Sequence, residues 1–362
     1  MKKATLITVA FLILAAALIL FAKKKKDEWI EEKRFQMATV TKIVIPRTNE
    51  SASALAEAFA AIDEVERAAS RFIPESEINK LSDGRWHKLS PVLLPMWEKA
   101  KELYELSDGR FDPTAGKLIS LWGFGPEGIK KEPTAEEIGE ALRYTGLDKV
   151  ETSNGFIRLP FGMRLDFNSL AAGYAADRAA AVLKKRGFKK FLVDAGGEIV
   201  CASDGKKIWE IGIKDPEKDS SGYMVLLWNG AVSTSGSYAN FYKSGSNSFT
   251  HIVDARTGKA AKTALLSVTT AAGDGITADG WSTMLFCLPT EEGKALAEKY
   301  EEPAALFLEK SPDLKEGELR VKSFRGKIGS HFSWKDDGRL KTTRTGRWYG
   351  QRDLLEINTG RE

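Results

Sequence analysis

Cysteine and histidine are scarce in this chain of 362 residues, which contains two Cys, Cys201 and Cys287, and three His. So few cysteines exclude a disulfide framework and a four-cysteine zinc site. The 32 Gly and 12 Pro follow no fixed period, and the chain also contains 9 Trp and 18 Phe. This composition excludes collagen, coiled coil and intrinsic disorder, and it predicts a large folded core.

Acidic residues are absent from the first 26 positions, which contain six Lys. The formal net charge of the whole chain is +4, from 54 basic and 50 acidic residues. Without those six Lys, residues 27–362 carry a net charge of about −2. The main part of the chain therefore lacks the excess of basic residues that is typical of proteins that bind nucleic acid. We expect no nucleic-acid partner.

Residues Ala4–Ala22 form an uncharged, mostly apolar run flanked by Lys on both sides. As a helix this run would measure about 28 Å, which is close to the thickness of the bilayer hydrocarbon. We therefore interpret residues 1–26 as an uncleaved membrane anchor, with a cleaved signal peptide as the alternative. Because Lys lies on both flanks, the positive-inside rule gives no clear orientation, and a location on the cytoplasmic face stays open.

The rest of the chain mixes helical and strand patterns without a regular βαβ alternation, which favours an α+β fold. Residues 27–34 are charged and are predicted to be a linker, and residues 335–362 are predicted to be a polar tail. A capping box, Thr134-Ala-Glu-Glu137, predicts a helix start. The other predicted helices are Ser51–Phe72, Val92–Leu106, Ala171–Arg186 and Thr277–Leu288, and the predicted strands are Met37–Pro46, Phe191–Val193, Ile208–Ile213, Met224–Trp228 and Leu265–Thr270.

Segments rich in Gly, Asp, Ser and Thr are the candidates for chemistry. Asp279 and Thr283 are four residues apart and share one helix face, with Ser282 beside them. Oxygen ligands of this kind suit Mg²⁺, although helix capping explains the same pattern. His251 lies near Asp254 and could activate a hydroxyl group or play a structural part. The turn before the Ala171 helix, which contains Ser169, suits phosphate binding or is simply a helix start.

Taken in order, these segments resemble the ApbE family of FAD:protein FMN transferases. The resemblance runs from Met37 to Ser323 and assigns a catalytic domain to residues 35–334. It implies mixed, largely antiparallel sheets with flanking helices in two subdomains. It depends on these motifs: Asp112-Pro-Thr-x-Gly, Leu-Trp-Gly-Phe-Gly-Pro, Leu165-Asp, Ala-x-Gly-Tyr-Ala, Gly196-Gly-Glu, Ser-Thr-Ser-Gly-Ser-Tyr, His251-Ile-Val-Asp-x-Arg-Thr-Gly and Ala278-Asp-Gly-Trp-Ser-Thr283.

The resemblance implies that FAD is the substrate and Mg²⁺ the cofactor. The FMN phosphate would move to a Thr or Ser hydroxyl of a partner redox protein with a Ser/Thr-Gly-Ala-Thr-like motif, and AMP would leave. The catalytic domain would lie on the periplasmic or extracytoplasmic face of a bacterial inner membrane. The alternatives are a Mg²⁺-dependent FAD pyrophosphatase that gives FMN and AMP, and a non-enzymatic flavin-binding subunit.

The resemblance also implies roles for individual residues. His251 and Asp254 would be catalytic. Ala38 replaces a Gly of the family pattern, Ser282 replaces an acid found in some members, and Ala172 stands where members often carry Lys. The flavin contacts would be Met37, Phe72, Arg110, Phe111, Asp112, Asp166, Ala172 and Val253, and the metal contacts would be the Ser169 carbonyl, Asp279, Ser282 and Thr283.

Overall fold

The computed structural model describes residues 29–127, 131–205, 207–216, 221–237, 241–244, 247–261, 265–300, 303–310, 320–324 and 332–336. The predicted anchor of residues 1–26 and most of the predicted tail lie outside this range. Within the described part of the chain, no helix is long and apolar enough to cross a membrane.

Helices and strands are mixed along the chain, and the predicted α+β fold is confirmed. The helices are Ser51–Ala69 (α1), Glu77–Lys80 (α2), Leu93–Leu106 (α3), Gly116–Leu121 (α4), Ala135–Leu142 (α5), Asn168–Lys185 (α6), Gly275–Cys287 (α7) and Thr290–Lys299 (α8), with 3₁₀ turns at Leu81–Asp83 and Leu147–Lys149. The capping box at Thr134 is present: Glu137 N–H donates to Thr134 Oγ1, and the Glu137 carboxylate accepts from Thr134 N–H.

The strands are Trp29–Gln36 (β1), Thr39–Pro46 (β2), Trp86–Lys88 (β3), Glu151–Ser153 (β4), Phe156–Arg158 (β5), Phe191–Ala195 (β6), Ile199–Ala202 (β7), Trp209–Lys214 (β8), Ser221–Leu227 (β9), Gly230–Gly236 (β10), Phe241–Ser244 (β11), Asn247–Thr250 (β12), Val253–Asp254 (β13), Lys259–Ala260 (β14), Leu265–Ala272 (β15), Ala304–Glu309 (β16), Arg320–Phe324 (β17) and Phe332–Asp336 (β18). Pairings between these described strands are antiparallel, as the resemblance implied.

One large sheet organises the described residues, with the strand order β1-β2-β6-β7-β10-β15-β16-β17. Alternate side chains of its strands enter different cores. Val193 packs in the main core with α1, α6 and α7, whereas Leu192 faces the small sheet β18-β9-β8 and packs in a second core with Trp209 and Val225. Both faces of the large sheet are therefore covered, which explains why β16 is buried along its whole length.

Two predicted boundaries are wrong. Residues 29–34, expected as linker, belong to β1, which pairs with β2 from Trp29↔Pro46 to Gln36↔Thr39. The predicted tail begins inside β18, because Lys335 and Asp336 pair with β9. In β1, Gln36 is buried and donates to the Phe59 carbonyl, and Trp29 packs edge-on against Trp209. The division into two subdomains stays a prediction.

The turn between β1 and β2 is strained. Met37 and Ala38 have φ angles of 52° and 57°, in the left-handed region that favours Gly and Asn. The equivalent turn between β4 and β5 uses Asn154 and Gly155, which suit this geometry. The Gly of the family pattern that Ala38 replaces would relieve part of this strain.

We expect Ala38→Gly to stabilise the protein by about 1 kcal/mol, because a Cβ at this φ is unfavourable. Urea unfolding of the full-length chain measures the change. Gly155→Ala is the matched control and should have the opposite sign, since it places a Cβ at φ 78°. A destabilised Ala38→Gly variant would contradict the assignment of strain to this turn.

Removal of residues 1–36 should lower the free energy of unfolding by about 3 kcal/mol or more relative to removal of residues 1–28. The longer deletion loses β1, including the buried contacts of Trp29, Ile30 and Gln36. Thermal unfolding of the two truncated chains measures the difference. Equal stability would show that β1 contributes little to the large sheet.

Candidate active site

A half-buried carboxylate of α6 fixes the first turn of α7. Asp177 accepts hydrogen bonds from the backbone N–H groups of Gly275 and Ile276, at 2.7 and 2.9 Å. Asp274 caps the same helix and accepts from Thr277 N–H at 2.9 Å. Burial raises the pKa of Asp177 to about 7. These bonds satisfy the free N–H groups of the α7 N-terminus and set its position on α6.

Two glycines allow α6 and α7 to approach at backbone distance. A Cβ at Gly173 would lie 2.2 Å from the Gly275 carbonyl oxygen and 2.7 Å from Asp279 Cβ. Across this contact, Gly173 N–H donates to Asp279 Oδ2 at 2.9 Å. Only glycine leaves room for Asp279 to reach the backbone of the neighbouring helix.

The same hydrogen bond connects Asp279 to Ser169. In a regular α-helix the N–H of residue 173 pairs with the carbonyl of residue 169, about 2.9 Å away. Here that N–H also serves Asp279 Oδ2. Regular helix geometry would therefore place the Ser169 carbonyl near the Asp279 carboxylate, and their joint role as metal contacts stays a prediction.

Hydroxyl groups from β10 and α7 extend this arrangement. Ser235 Oγ lies 2.9 Å from Ser282 Oγ and 3.0 Å from Thr283 Oγ1. Ser282 Oγ also donates to the Asp279 carbonyl at 2.9 Å. We call Asp279, Ser282, Thr283, Ser235 and Ser233 the oxygen cluster. Its three α7 members are the side chains that the sequence predicted to bind metal.

Ser233 is a buried member of the oxygen cluster. It is 1% exposed, and its Oγ lies 3.4 Å from Ser282 Oγ. Burial raises the pKa of Glu198 to about 8, and the nearby Asp279 carboxyl group adds to this rise. Burial likewise raises the pKa of Asp279 to about 7, with a further contribution from the Asp177 carboxyl group.

The donor set of this cluster fits Mg²⁺. Its atoms are hard oxygens from a carboxylate, hydroxyl groups and the nearby Ser169 carbonyl, the ligand types that Mg²⁺ prefers. The described residues contain no group of three or more His, Cys, Asp or Glu that could hold a metal without other ligands. A cation here would therefore keep waters or take oxygens from a bound diphosphate. The individual metal contacts stay predictions.

The α7 helix connects the oxygen cluster to the predicted flavin contacts. Asp279, Thr283 and Cys287 are spaced by four residues and lie on one stripe, about 12 Å long. At its end, Cys287 Sγ donates to the Val253 carbonyl at 3.9 Å. Val253 and Phe111 are both buried, so their side chains offer little surface to a ligand.

Arg110 and Asp254 form an ion pair, with 3.1 Å between Arg110 Nη1 and Asp254 Oδ2. Arg110 Nη2 also lies 3.3 Å from Glu292 Oε2, and Ala255 N–H donates to the Arg110 carbonyl. Asp254 Oδ1 accepts from Arg256 N–H at 2.9 Å. Both oxygens of Asp254 thus have partners other than His251, and its expected role in orienting that ring stays a prediction.

His251 is half-buried, and its ring lies edge-on to Phe124, with 6.0 Å between ring centroids. Phe124 belongs to the Leu-Trp-Gly-Phe-Gly-Pro motif. The fold thus brings together two motifs that are 127 residues apart in the chain. A half-buried imidazole is suited to contact a substrate.

Asp166 is buried and is neutralised by Arg71, with 2.7 Å between Arg71 Nη1 and Asp166 Oδ2. Arg71 Nη2 donates to Ser120 Oγ at 2.7 Å. The next residue, Phe72, is 58% exposed, so its ring is free to stack on a ligand as predicted. Arg71 therefore links the segment that carries Phe72 to Asp166, and both of these residues are predicted flavin contacts.

Asp112 and Ala172 fit their predicted flavin roles less directly. Asp112 Oδ1 accepts from Thr114 N–H and Thr114 Oγ1, at 2.7 and 2.6 Å, and burial raises its pKa. This carboxylate thus fixes its own turn.

Ala172 was expected in the first turn of a helix that begins at Ala171. Helix α6 begins earlier, at Asn168, so Ala172 lies in its second turn and is half-buried.

Five residues of this region had no role predicted from the sequence: Arg71, Gly173, Glu198, Ser233 and Ser235. Glu198, Ser233 and Ser235 lie in motifs that are conspicuously rich in polar residues. Gly173 is the Gly of the Ala-x-Gly-Tyr-Ala motif, but its contact with Asp279 is 106 residues away in the chain. Arg71 gave no signal, since its partner Asp166 is 95 residues away.

Comparisons with known proteins agree with this geometry. A family model described as the ApbE family matches residues 37–307. The FAD:protein FMN transferases of Klebsiella pneumoniae and Escherichia coli are 33% and 32% identical over 187 and 191 residues. These matches cover 48% and 50% of this chain, and the chain spans about half the length of these relatives, 53% and 54%.

Solved structures cover more of the chain. The flavin transferase ApbE from Vibrio cholerae is 26% identical with a TM-score of 0.73, over 83% of this chain and 97% of that one. The ApbE protein from Thermotoga maritima is 27% identical with a TM-score of 0.73, over 84% and 98% of the two chains.

Gly173→Ala should lower the free energy of unfolding by about 2–3 kcal/mol and weaken binding of Mg²⁺, because the new Cβ collides with α7 beside Asp279. Urea unfolding and calorimetric Mg²⁺ titration measure the two effects. Gly139→Ala in α5 is the control, since a Cβ there meets nothing within 4 Å and should be neutral or slightly stabilising. Equal behaviour of the two variants would refute the close contact.

Proposed function

The chain belongs to the ApbE family, and we propose that it transfers the FMN part of FAD to a hydroxyl group of an acceptor protein. The observation that carries the proposal is the oxygen cluster, in which Asp279 is buried against the backbone of α6. A site for a divalent cation beside a diphosphate is what cleavage of a pyrophosphate requires.

In the proposed reaction, an acceptor hydroxyl oxygen attacks the phosphorus of the FMN half of FAD. The bond from this phosphorus to the bridging oxygen breaks, and AMP leaves with that oxygen. The hydroxyl proton passes to a base, for which the half-buried ring of His251 is the best candidate. The product is a phosphoester between FMN and the acceptor side chain.

Mg²⁺, held by Asp279, Thr283, Ser282 and the Ser169 carbonyl, would neutralise charge on the phosphate oxygens. Gly173 N–H holds Asp279 in place for this contact, and Ser235 aligns the hydroxyl groups of Ser282 and Thr283. A fixed set of ligands of this kind lowers the entropic cost of orienting the substrate for reaction.

The flavin half of FAD would contact the surface formed by Met37, Phe72 and the Arg110–Phe111–Asp112 turn, with Asp166 and Val253 nearby. Phe72 supports this placement, since its ring is 58% exposed beside the buried Arg71–Asp166 ion pair and can stack on a flat ligand. Ala172 would leave the diphosphate without the cation that Lys supplies at this position.

The proposed acceptor is a redox protein with a Thr or Ser in a Ser/Thr-Gly-Ala-Thr-like motif. The Lys-flanked apolar run of residues 4–22 supports anchoring in a bacterial inner membrane. The catalytic domain would then face the periplasmic or extracytoplasmic side, where it would meet exported acceptors.

Incubation of the full-length chain in detergent with FAD, Mg²⁺ and an acceptor that carries the motif tests the proposal. We expect flavin fluorescence on the acceptor after denaturing electrophoresis, with one AMP released per flavin. Asp279→Ala should abolish labelling, because it removes the charged ligand of the cluster. Glu136→Gln, an exposed carboxylate in the first turn of α5, should leave labelling unchanged.

An acceptor with Ala in place of its Thr must remain unlabelled. FMN and AMP formed at the same rate without labelling would identify a FAD pyrophosphatase instead. FAD that binds and stays intact would identify a flavin-binding protein. Either of these outcomes would overturn the proposed transfer.

A further inference from the structure

The described chain enters the fold at one end of the large sheet. Trp29 begins β1 and is opposite Pro46, the last residue of β2. Strand β2 pairs with β6, and Phe191 at the start of β6 is opposite Ala202 at the end of β7. These four strand ends therefore lie together, at the end of the sheet opposite to the turns that follow Gln36 and Ala195.

Basic residues gather at the same end of the sheet, and we call them the basic end. Two lie in the last turn of α6, two lie between α6 and β6, and one lies between β7 and β8. The five are Lys184, Lys185, Lys189, Lys190 and Lys207. Lys190 Nζ lies 3.7 Å from Asp204 Oδ2, and within the described residues the other four form no ion pair. The basic end therefore carries an excess of positive charge.

A surface cavity and a tryptophan ring accompany these ammonium groups. Lys184 and Lys189 line a cavity of about 390 Å³ together with Ser203, which gives room for a phosphate group. The half-buried Trp29 ring lies 5.0 Å from Lys207 Nζ and 5.8 Å from Lys190 Nζ. Cations beside an amphipathic aromatic ring are typical of protein surfaces at the level of lipid head groups.

Helix capping explains only part of this cluster. Lys184 and Lys185 stabilise the C-terminal end of α6 through the helix dipole. Lys189, Lys190 and Lys207 lie outside the helices, where the dipole gives no such gain. Because like charges repel one another, their assembly on one surface points to an anionic partner.

The sequence before Trp29 indicates which partner this is. Six residues separate Ala22, the last residue of the apolar run, from Trp29, and four of the six are Lys. Fully extended, the chain between them spans at most about 25 Å. A run that crosses the bilayer therefore holds the basic end close to the lipid surface, which favours a membrane over a soluble partner.

We propose that the basic end docks on the anionic head groups of the membrane in which residues 4–22 are anchored. The lysines contact lipid phosphates as point charges, and Trp29 lies at the level of the head groups. This inference rests on the proposed membrane anchor and is independent of the proposed transfer reaction.

Docking of this end would direct the candidate active site away from the bilayer. Strand β1 runs about 23 Å from Trp29 to Gln36, and α6 spans about the same distance from Ser169 to Lys184. The Met37 turn and the oxygen cluster lie at the far ends of these two elements. An acceptor protein could therefore reach the site without displacing the domain from the membrane.

The test uses the full-length chain in lipid nanodiscs, with a dye attached to Ala181→Cys. Residue 181 is exposed and lies on the same face of α6 as Lys184 and Lys185, whereas the native cysteines are buried and stay unlabelled. One set of nanodiscs contains phosphatidylcholine alone, and the other contains about one third phosphatidylglycerol. A nitroxide on a small share of the head groups quenches the dye on contact.

We expect quenching to be about threefold or more stronger in the anionic nanodiscs, and high salt should remove the difference because it screens surface charges. The same dye on Ser153→Cys, an exposed position on β4, should be quenched equally in both lipids. Equal quenching of the Ala181→Cys dye in both lipids overturns the inference, and it is the result expected if the partner is an acidic protein.

Charge variants identify the residues responsible. The triple variant Lys184→Gln, Lys189→Gln and Lys207→Gln should lower quenching in anionic nanodiscs to the level found in phosphatidylcholine. The matched control neutralises three exposed lysines of other elements, Lys88→Gln, Lys259→Gln and Lys299→Gln, and should keep the full effect. Equal quenching of the two triple variants would refute docking through the basic end.

The inference and the proposed function fail in different ways. A full-length chain that leaves both kinds of nanodisc overturns the anchor and the docking together. Acceptor labelling in detergent needs neither, so the transfer is judged separately by that assay.

Discussion

The contact between Gly173 and Gly275 is the constraint on which the candidate site depends. It brings the backbones of α6 and α7 close enough for Asp279 to accept the Gly173 N–H and for Asp177 to accept two N–H groups of α7. Each helix thus supplies donors for a carboxylate of the other. These bonds offset the cost of removing both carboxylates from water, which is largest for the buried Asp279.

The position of α7 then fixes two regions at once. Near its N-terminal end it holds Asp279, Ser282 and Thr283 against the hydroxyl groups of β10, and at its other end Cys287 contacts the Val253 carbonyl. Since a helix is rigid over three turns, the distance between the oxygen cluster and the Arg110–Asp254 ion pair is set by the helix itself. The oxygen cluster and the Val253 segment are therefore held at a fixed separation.

The sequence predicted the parts of this fold that depend on local pattern. The capping box at Thr134 and the shared face of Asp279 and Thr283 follow from spacing alone. Strand β1 was missed because Glu31, Glu32, Lys33 and Arg34 make it look solvated, although those charges pair with each other on an edge strand. Its turn gave no signal either, since Met37 and Ala38 are not residues that favour positive φ.

The contacts that the sequence could not reveal are those made by long-range register. Arg71 reads as an ordinary surface residue at a helix end, yet it is buried and neutralises Asp166. Glu198 reads as the end of a glycine turn, and only the folded chain brings its carboxyl group near enough to Asp279 to raise the pKa of Glu198. Neither partner is encoded in the local pattern, because sheet order and helix packing decide which distant residues meet.

The end of the large sheet brings the strained turn and the Glu198 turn together. A Cβ at Gly196 would lie 2.6 Å from Thr39 Cγ2, so the Met37–Ala38 turn and the Asp194–Glu198 turn pack directly on each other, and Lys42 joins Asp194 across 3.3 Å. Backbone strain persists where the surroundings over-determine it, and it is concentrated at functional sites. The unfavourable φ of Met37 is therefore consistent with a residue held in position for a ligand. Through this contact, the turn at Met37 and the turn that ends at Glu198 lie side by side at one end of the large sheet.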